Sequence, residues 1–234
     1  MKFVQKGGPP HKYRAWCRAV VGTAQEDYRD LPGDVKSQLL PALAKEQGDI
    51  CAYTMKRIDK DSSHIEHIKP EGFCRAEKAG SDLDFSNMVA CFPRAGMPRV
   101  CRYGAQKKDS WWDPTLFVSP LNPACEKRFR FSLDGQMLAV DDNEAASNTI
   151  GILALNHPSL AEDRRRAIQE LIYGENGSAP LSRTKASRLR DEVCVRSKGM
   201  FVEFCVALRD ALDAHIKYIE KLARKRSYAR RGER

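Results

Sequence analysis

The 234 residues include 40 Lys and Arg against 31 Asp and Glu, a formal net charge of +9, with 42% hydrophobic and 30% charged residues. This describes a globular chain able to enclose a real core, and it excludes a disordered or fibrous one. No apolar run approaches the roughly 20 residues needed to cross a bilayer, and the first residues lack a signal-peptide core, so a cytoplasmic protein without membrane contact is expected.

The charge is uneven. From Leu181 onward 15 Lys and Arg stand against 7 Asp and Glu, whereas the remainder is close to balance. A basic C-terminal third suits a polyanion such as nucleic acid, with a solvated helix face or an acidic protein partner as the alternatives. Eight cysteines, at 17, 51, 74, 91, 101, 125, 194 and 205, contain no Cys-x-x-Cys pair. Thr54 stands three residues after Cys51, so a complete zinc site is not expected. Cys51, Cys91 and Cys101 read as structural thiols, and Cys194 and Cys205 as core residues of helices.

In chain order, residues 1–33 read as an irregular arm enclosing a short helix around Tyr13–Thr23. Asp34 is expected to cap a helix to about Gln47, with Gly48 as its stop and Pro41 as a bend. Asp49–Met55 and Ser63–Ile68 are short, apolar and β-prone around the turn Asp59-Lys60-Asp61-Ser62, which predicts a hairpin. Glu71–Ser110 reads as an elaborated loop closing in a short helix near Ala105–Asp109. Arg128–Leu133 and Gln136–Val140 flank Asp134-Gly135, a strong hairpin turn. Ser159 and Glu162 suggest a capping box for a helix ending near Gly174. Arg164-Arg165-Arg166 on it reads as a solvated face, with contact to an acidic partner surface as the alternative. A helix over Arg183–Gly199 follows, then one from Phe201 with apolar residues at 204, 205, 208, 212, 216, 219 and 222.

The chemistry concentrates at His64-Ile65-Glu66-His67, with Asn87 downstream and Lys107-Lys108-Asp109 beyond. An imidazole base beside a carboxylate able to hold a divalent cation is the minimum for metal-assisted phosphodiester hydrolysis. A chance pairing of surface residues is the competing reading. Trp111 and Trp112 could stack on bases, although adjacent residues face different sides and one of them suits the core. His157 reads as a loop residue and His215 as a satisfied core or partner-facing histidine.

Cys51-Ala52-Tyr53, His64-Ile65-Glu66-His67-Ile68-Lys69-Pro70, Asn87 and Lys107 resemble the HNH (ββα-metal) nuclease signature. Further matches are Tyr103-Gly104-Ala105, Trp111-Trp112-Asp113, Arg128-Phe129-Arg130-Phe131, and Leu153-Ala154-Leu155-Asn156 before Arg164. The pattern, over about residues 45–170, is similar to the nuclease subunit of the Septu anti-phage system, also found beside retrons. The resemblance implies an α+β fold: residues 1–44 an arm and helix, 45–112 the HNH core, 113–158 a connection and hairpin, and 159–234 a basic helical region.

It also implies His67 as general base, Asn87 as the brace of its loop, and Glu66 as a ligand of Mg²⁺ or Mn²⁺. His64 would support the metal or phosphate, or only pack. Lys107, Lys108 and Lys69 would hold phosphate. The implied partners are nucleic acid, an ABC-type ATPase, and a retron reverse transcriptase with its RNA/DNA. The family's second metal ligand, three residues before the helix lysine, falls on Gly104 or Ala105, neither of which can ligate. Asp109, Gln106, His64 or water would have to substitute, and a non-catalytic adaptor is the alternative. A zinc-dependent DNA-binding module fails on ligand count.

Overall fold

The computed structural model describes residues 1–94, 102–174, 177 and 179–232, with side chains as far as Arg226. Helix accounts for 49% and strand for 8%, an α+β chain. The N-terminal helices are α1 (His11–Val20) and α2 (Gly33–Glu46). Pro32 stands at the N-cap of α2, and Asp34 lies in its first turn, where a carboxylate favours the helix dipole. Val35, Leu39 and Leu43, four residues apart, bury one stripe of α2. Fully burying each such side chain contributes roughly 1.5–3 kcal/mol.

The next strand is β1 (His64–His67), and its partner is not the one expected. Asp49 and Met55 both take positive φ, and Met55 N–H closes a turn on the Cys51 carbonyl, so residues 51–55 coil into a knuckle joined to Arg57 by a single bridge at Ile50. β1 instead pairs antiparallel with β2 (Met88–Cys91), with His64 opposite Cys91 and His67 opposite Met88. All four residues of β2 are buried. The stretch expected to be a loop also holds α3 (Glu71–Glu77), and α4 (Ala105–Lys108) closes it.

The second hairpin forms as expected from β3 (Phe129–Phe131) and β4 (Met137–Ala139). Gly135 in its turn has φ +81°, and a Cβ there would lie 2.1 Å from the Ala161 carbonyl oxygen, so only glycine lets the turn reach the following helix. The remaining helices are α5 (Glu144–Ile152), α6 (Pro158–Tyr173), α7 (Arg183–Glu192) and α8 (Cys205–Gly232).

Three expectations in this half are corrected. His157, not Ser159, caps α6, because Pro158 suits the first helical position and the His157 ring accepts the Ser159 N–H, while Glu162 pairs with Arg165. α7 stops at Glu192, which leaves Cys194 outside it, half-buried, with its thiol on the Cys205 carbonyl. Arg164 is buried, not solvated. One core runs from Met1 through β1, β2 and the second hairpin to Ala207, and a smaller one joins α6, α7 and α8 around Ile168, Leu208 and Leu212.

Candidate active site

Side chains alternate along a strand, so His64 and Glu66 share one face of β1 while Ile65 and His67 share the other. On the first face Glu66 Oε1 accepts from Lys108 Nζ at 3.0 Å and from the Tyr53 hydroxyl at 3.2 Å. Glu66 Oε2 lies 3.9 Å from His64 Nε2. The other ring nitrogen of His64 bonds the Pro93 carbonyl, which can only accept, so Nδ1 carries the proton and Nε2 is turned toward Glu66. Burial opposes charge on His64, but Glu66 and the carbonyl outweigh it and raise its pKa. Burial, reinforced by Glu66, pushes the Tyr53 hydroxyl well above its ordinary value, which keeps it a neutral donor.

Lys108 is 1% exposed, so it is not a surface phosphate binder; its ammonium also lies 3.4 Å from the His67 carbonyl. Two conformations put it there. Gly104, φ +70°, opens α4 with its Cα so close to Thr54 that a Cβ would meet the Thr54 methyl at 3.3 Å, and Asp109, φ +49°, ends it. Lys107 points outward and is exposed.

On the second face His67 is 5% exposed. Its Nε2–H donates to the Asp82 carbonyl oxygen at 2.8 Å, a bond that assigns the tautomer and leaves the lone pair on Nδ1. Glu71 Oε1 stands 3.5 Å from that nitrogen. The Tyr28 ring packs edge-on against the imidazole, centroids 4.6 Å apart at 83°. Burial is the largest influence on His67 and lowers its pKa, so the ring is neutral at physiological pH. Asp82 is itself fully buried, its Oδ2 accepting from Tyr28 N–H and Arg75, so one loop holds both the imidazole and its cover.

Asn87 lies just before β2 and ties down the segment after His67: its Oδ1 accepts Lys69 N–H at 2.9 Å and its Nδ2 donates to the Lys69 carbonyl at 2.9 Å. The Lys69 ammonium is ion-paired to Glu77. Asp109 is exposed, and among the described residues no three His, Cys, Asp or Glu side chains gather around a point, so Asp109 does not join His64 and Glu66. The Gln106 Oε1 is buried and has no partner among the described residues.

Of the cysteines, Cys51 and Cys91 are both fully buried beside each other, and Cys51 accepts the Phe92 N–H at 3.4 Å. Cys101 lies outside the described residues. Trp111 and Trp112 both lean on Phe117, half-buried. His215 donates to the Leu181 carbonyl and is satisfied. The residues that the motif did not single out are Tyr28, Glu71 and Asp82; Tyr53 lies within the signature, which assigns it no role. Glu71 follows the motif directly; Tyr28 and Asp82 leave no signal in the chain.

No protein-family model matches the chain. It is, however, 31% identical over 133 residues to the "Retron Vc95 putative HNH endonuclease" of Vibrio cholerae serotype O1 biovar El Tor. This chain resembles a retron HNH endonuclease. The match covers 54% of this chain and 62% of the Vibrio protein, so the chain spans less than two thirds of the length of that relative.

An HNH site implies a metal, and the residues can be tested for it. Tyr53 and Lys108 occupy Glu66 Oε1, which leaves Oε2 and the His64 Nε2 as donors. One carboxylate oxygen and one imidazole suit a hard cation that keeps most of its water, as Mg²⁺ does, and fall short of the four ligands of structural zinc. No helix of the described residues is long and apolar enough to cross a membrane.

Proposed function

We propose that the chain is an HNH-type endonuclease, hydrolysing nucleic acid phosphodiester bonds in the cytoplasm. It would be the effector of a retron-associated anti-phage system that works with an ABC-type ATPase. Its catalytic core is a ββα-metal unit made of β1, β2 and α4. The observation that carries this reading is the bond from His67 Nε2–H to the Asp82 carbonyl, one residue along the strand from Glu66 and on its other face. It presets the neutral tautomer that a general base needs, with the lone pair on Nδ1.

In this reading Nδ1 takes a proton from water, the hydroxide attacks phosphorus, and the opposite P–O ester bond breaks, its leaving oxygen taking a proton from solvent. The imidazolium formed is stabilised by the Glu71 carboxylate at 3.5 Å and the Asp82 carbonyl. Asn87 holds the segment behind His67 in register, and Lys107 faces a neighbouring phosphate. Glu66 and His64 would hold Mg²⁺ or Mn²⁺, which supplies charge stabilisation at the scissile phosphate. A second reading, a nucleic-acid-binding adaptor without turnover, is favoured by the Lys108 ammonium seated on Glu66, where a metal's charge would act.

The test is cleavage of plasmid DNA, single-stranded DNA and total tRNA with Mg²⁺ or Mn²⁺, with and without a candidate ABC-type ATPase. Wild-type cleavage that disappears in His67→Ala and in EDTA is the expected result. Binding without cleavage under every condition would replace the nuclease by the adaptor.

A further inference from the structure

α8 changes character halfway along. Its first half is bound into the protein, with Cys205–Leu208, Ala211, Leu212 and His215 all buried. After His215 no described residue is buried, and Lys217, Tyr218, Lys221 and the residues from Ala223 to Arg226 are exposed. The helix nevertheless continues to Gly232, about 25 Å beyond His215 at the usual rise per residue. Beyond His215 the described side chains, as far as Arg226, are at most partly buried, with Ile216 against the smaller core; a helical stretch so little packed is marginal alone, so its stability is to be sought in a partner.

Its side chains indicate which partner. Lys217, Lys221, Arg224, Lys225 and Arg226 stand against one acid, Glu220, which Arg183 already holds at 2.8 Å. Lys217, Lys221 and Lys225 fall four residues apart, with Arg224 three after Lys221, all on the side away from Leu208, Leu212 and Ile219. Among the described residues none of these cations has an ion-pair partner. Tyr218, 60% exposed, lies among them, three residues before Lys221 and seven before Lys225. Lys217, Lys221 and Lys225 sit about 6 Å apart along the axis, close enough for each to face a separate phosphate, with Arg224 beside Lys225. An unpaired cationic stripe repels a second copy of itself, and a ring between cations is a platform for an unpaired base.

We propose that this projecting half of α8 is a binding arm for single-stranded nucleic acid. Lys217, Lys221 and Lys225, the last with Arg224 beside it, hold consecutive phosphates, and Tyr218 stacks on a base. The inference rests on the proposed function only in taking nucleic acid as the polymer handled. It is tested by binding alone, in a His67→Ala background, so failure of the hydrolytic reading leaves it standing.

The experiment is a fluorescence-anisotropy titration of a labelled 20-nucleotide single strand, and of its duplex, across a range of salt. Combining Lys217→Glu, Lys221→Glu and Arg224→Glu is expected to weaken single-strand binding more than tenfold and to flatten its salt slope by about 2. Tyr218→Ala should weaken it about tenfold with the slope unchanged. A Lys217→Gln, Lys221→Gln, Arg224→Gln protein, with helicity and melting temperature checked by circular dichroism, separates lost contact from lost folding. Unchanged affinity and slope in both triple variants would overturn the arm. Indifference to Tyr218→Ala together with equal duplex binding would overturn its single-strand character.

Discussion

Lys108 Nζ lies 3.0 Å from Glu66 Oε1, with the lysine side chain fully buried and the glutamate 14% exposed. A short helix and a strand thus meet through one charge pair, completed by the Tyr53 hydroxyl. Taking either charge out of water is costly, and removing one partner strands the other. Lys108→Met is therefore expected to lower the unfolding free energy by about 3 kcal/mol. Lys108→Met with Glu66→Leu should recover much of that loss, because no buried charge remains alone. Denaturant unfolding of wild type, Lys108→Met, Glu66→Leu and the double variant measures the coupling; strictly additive effects would mean that the pair does not hold α4 to β1.

Tyr28 covers His67 from a part of the chain far from the motif. Its ring edge meets the imidazole, and its N–H is anchored on Asp82 Oδ2 at 3.2 Å. Tyr28→Ala should open the imidazole to reagents while costing about 3 kcal/mol of stability through the cavity it leaves. Carbethoxylation of His67 by diethylpyrocarbonate, followed by mass spectrometry, should quicken several-fold relative to wild type and to Tyr28→Phe. An unchanged rate would show that something other than the Tyr28 ring limits access.

Arg164 is 1% exposed and donates to the Gly135 and Leu155 carbonyls, both at 2.6 Å, locking the β3–β4 turn to α6. Arg164→Ala would leave two buried acceptors unpaired, at about 1–3 kcal/mol each. Arg165→Ala and Arg166→Ala, on the outer side of α6, should change stability by less than about 0.5 kcal/mol. Melting temperatures of the three variants test this; equal losses would return Arg164 to the solvated face that the Arg-Arg-Arg run suggests.

Local chemistry was legible from the chain alone. Asp134-Gly135 pointed to the second hairpin, and the loop closes from Ser132 to Gln136 with Gly135 at positive φ, a conformation glycine adopts without strain. The apolar spacing of α2, α6 and α8 marked their buried stripes, because a 3.6-residue period is visible in any sequence that forms an amphipathic helix. The grouping of His64, Glu66 and His67 pointed to one place for chemistry, since four consecutive residues cannot be far apart.

Only the tertiary structure decided which strand β1 joins, since periodicity reports a buried face and not the segment that covers it. Residues 50–55 and 88–91 are both short and apolar; the positive φ of Asp49 and Met55 turned the first into a knuckle and left the second to pair. The roles of lysines and arginines were likewise undecided. Lys107 and Lys108 are indistinguishable in the sequence, yet one meets water and the other a buried carboxylate, because helix phase and the position of Glu66 set the surroundings of each. The tautomer of His67 depended on a backbone carbonyl of Asp82, and its cover on Tyr28. Neither residue type at those positions carries a signal, since a carbonyl is common to every residue and an aromatic ring suits any core.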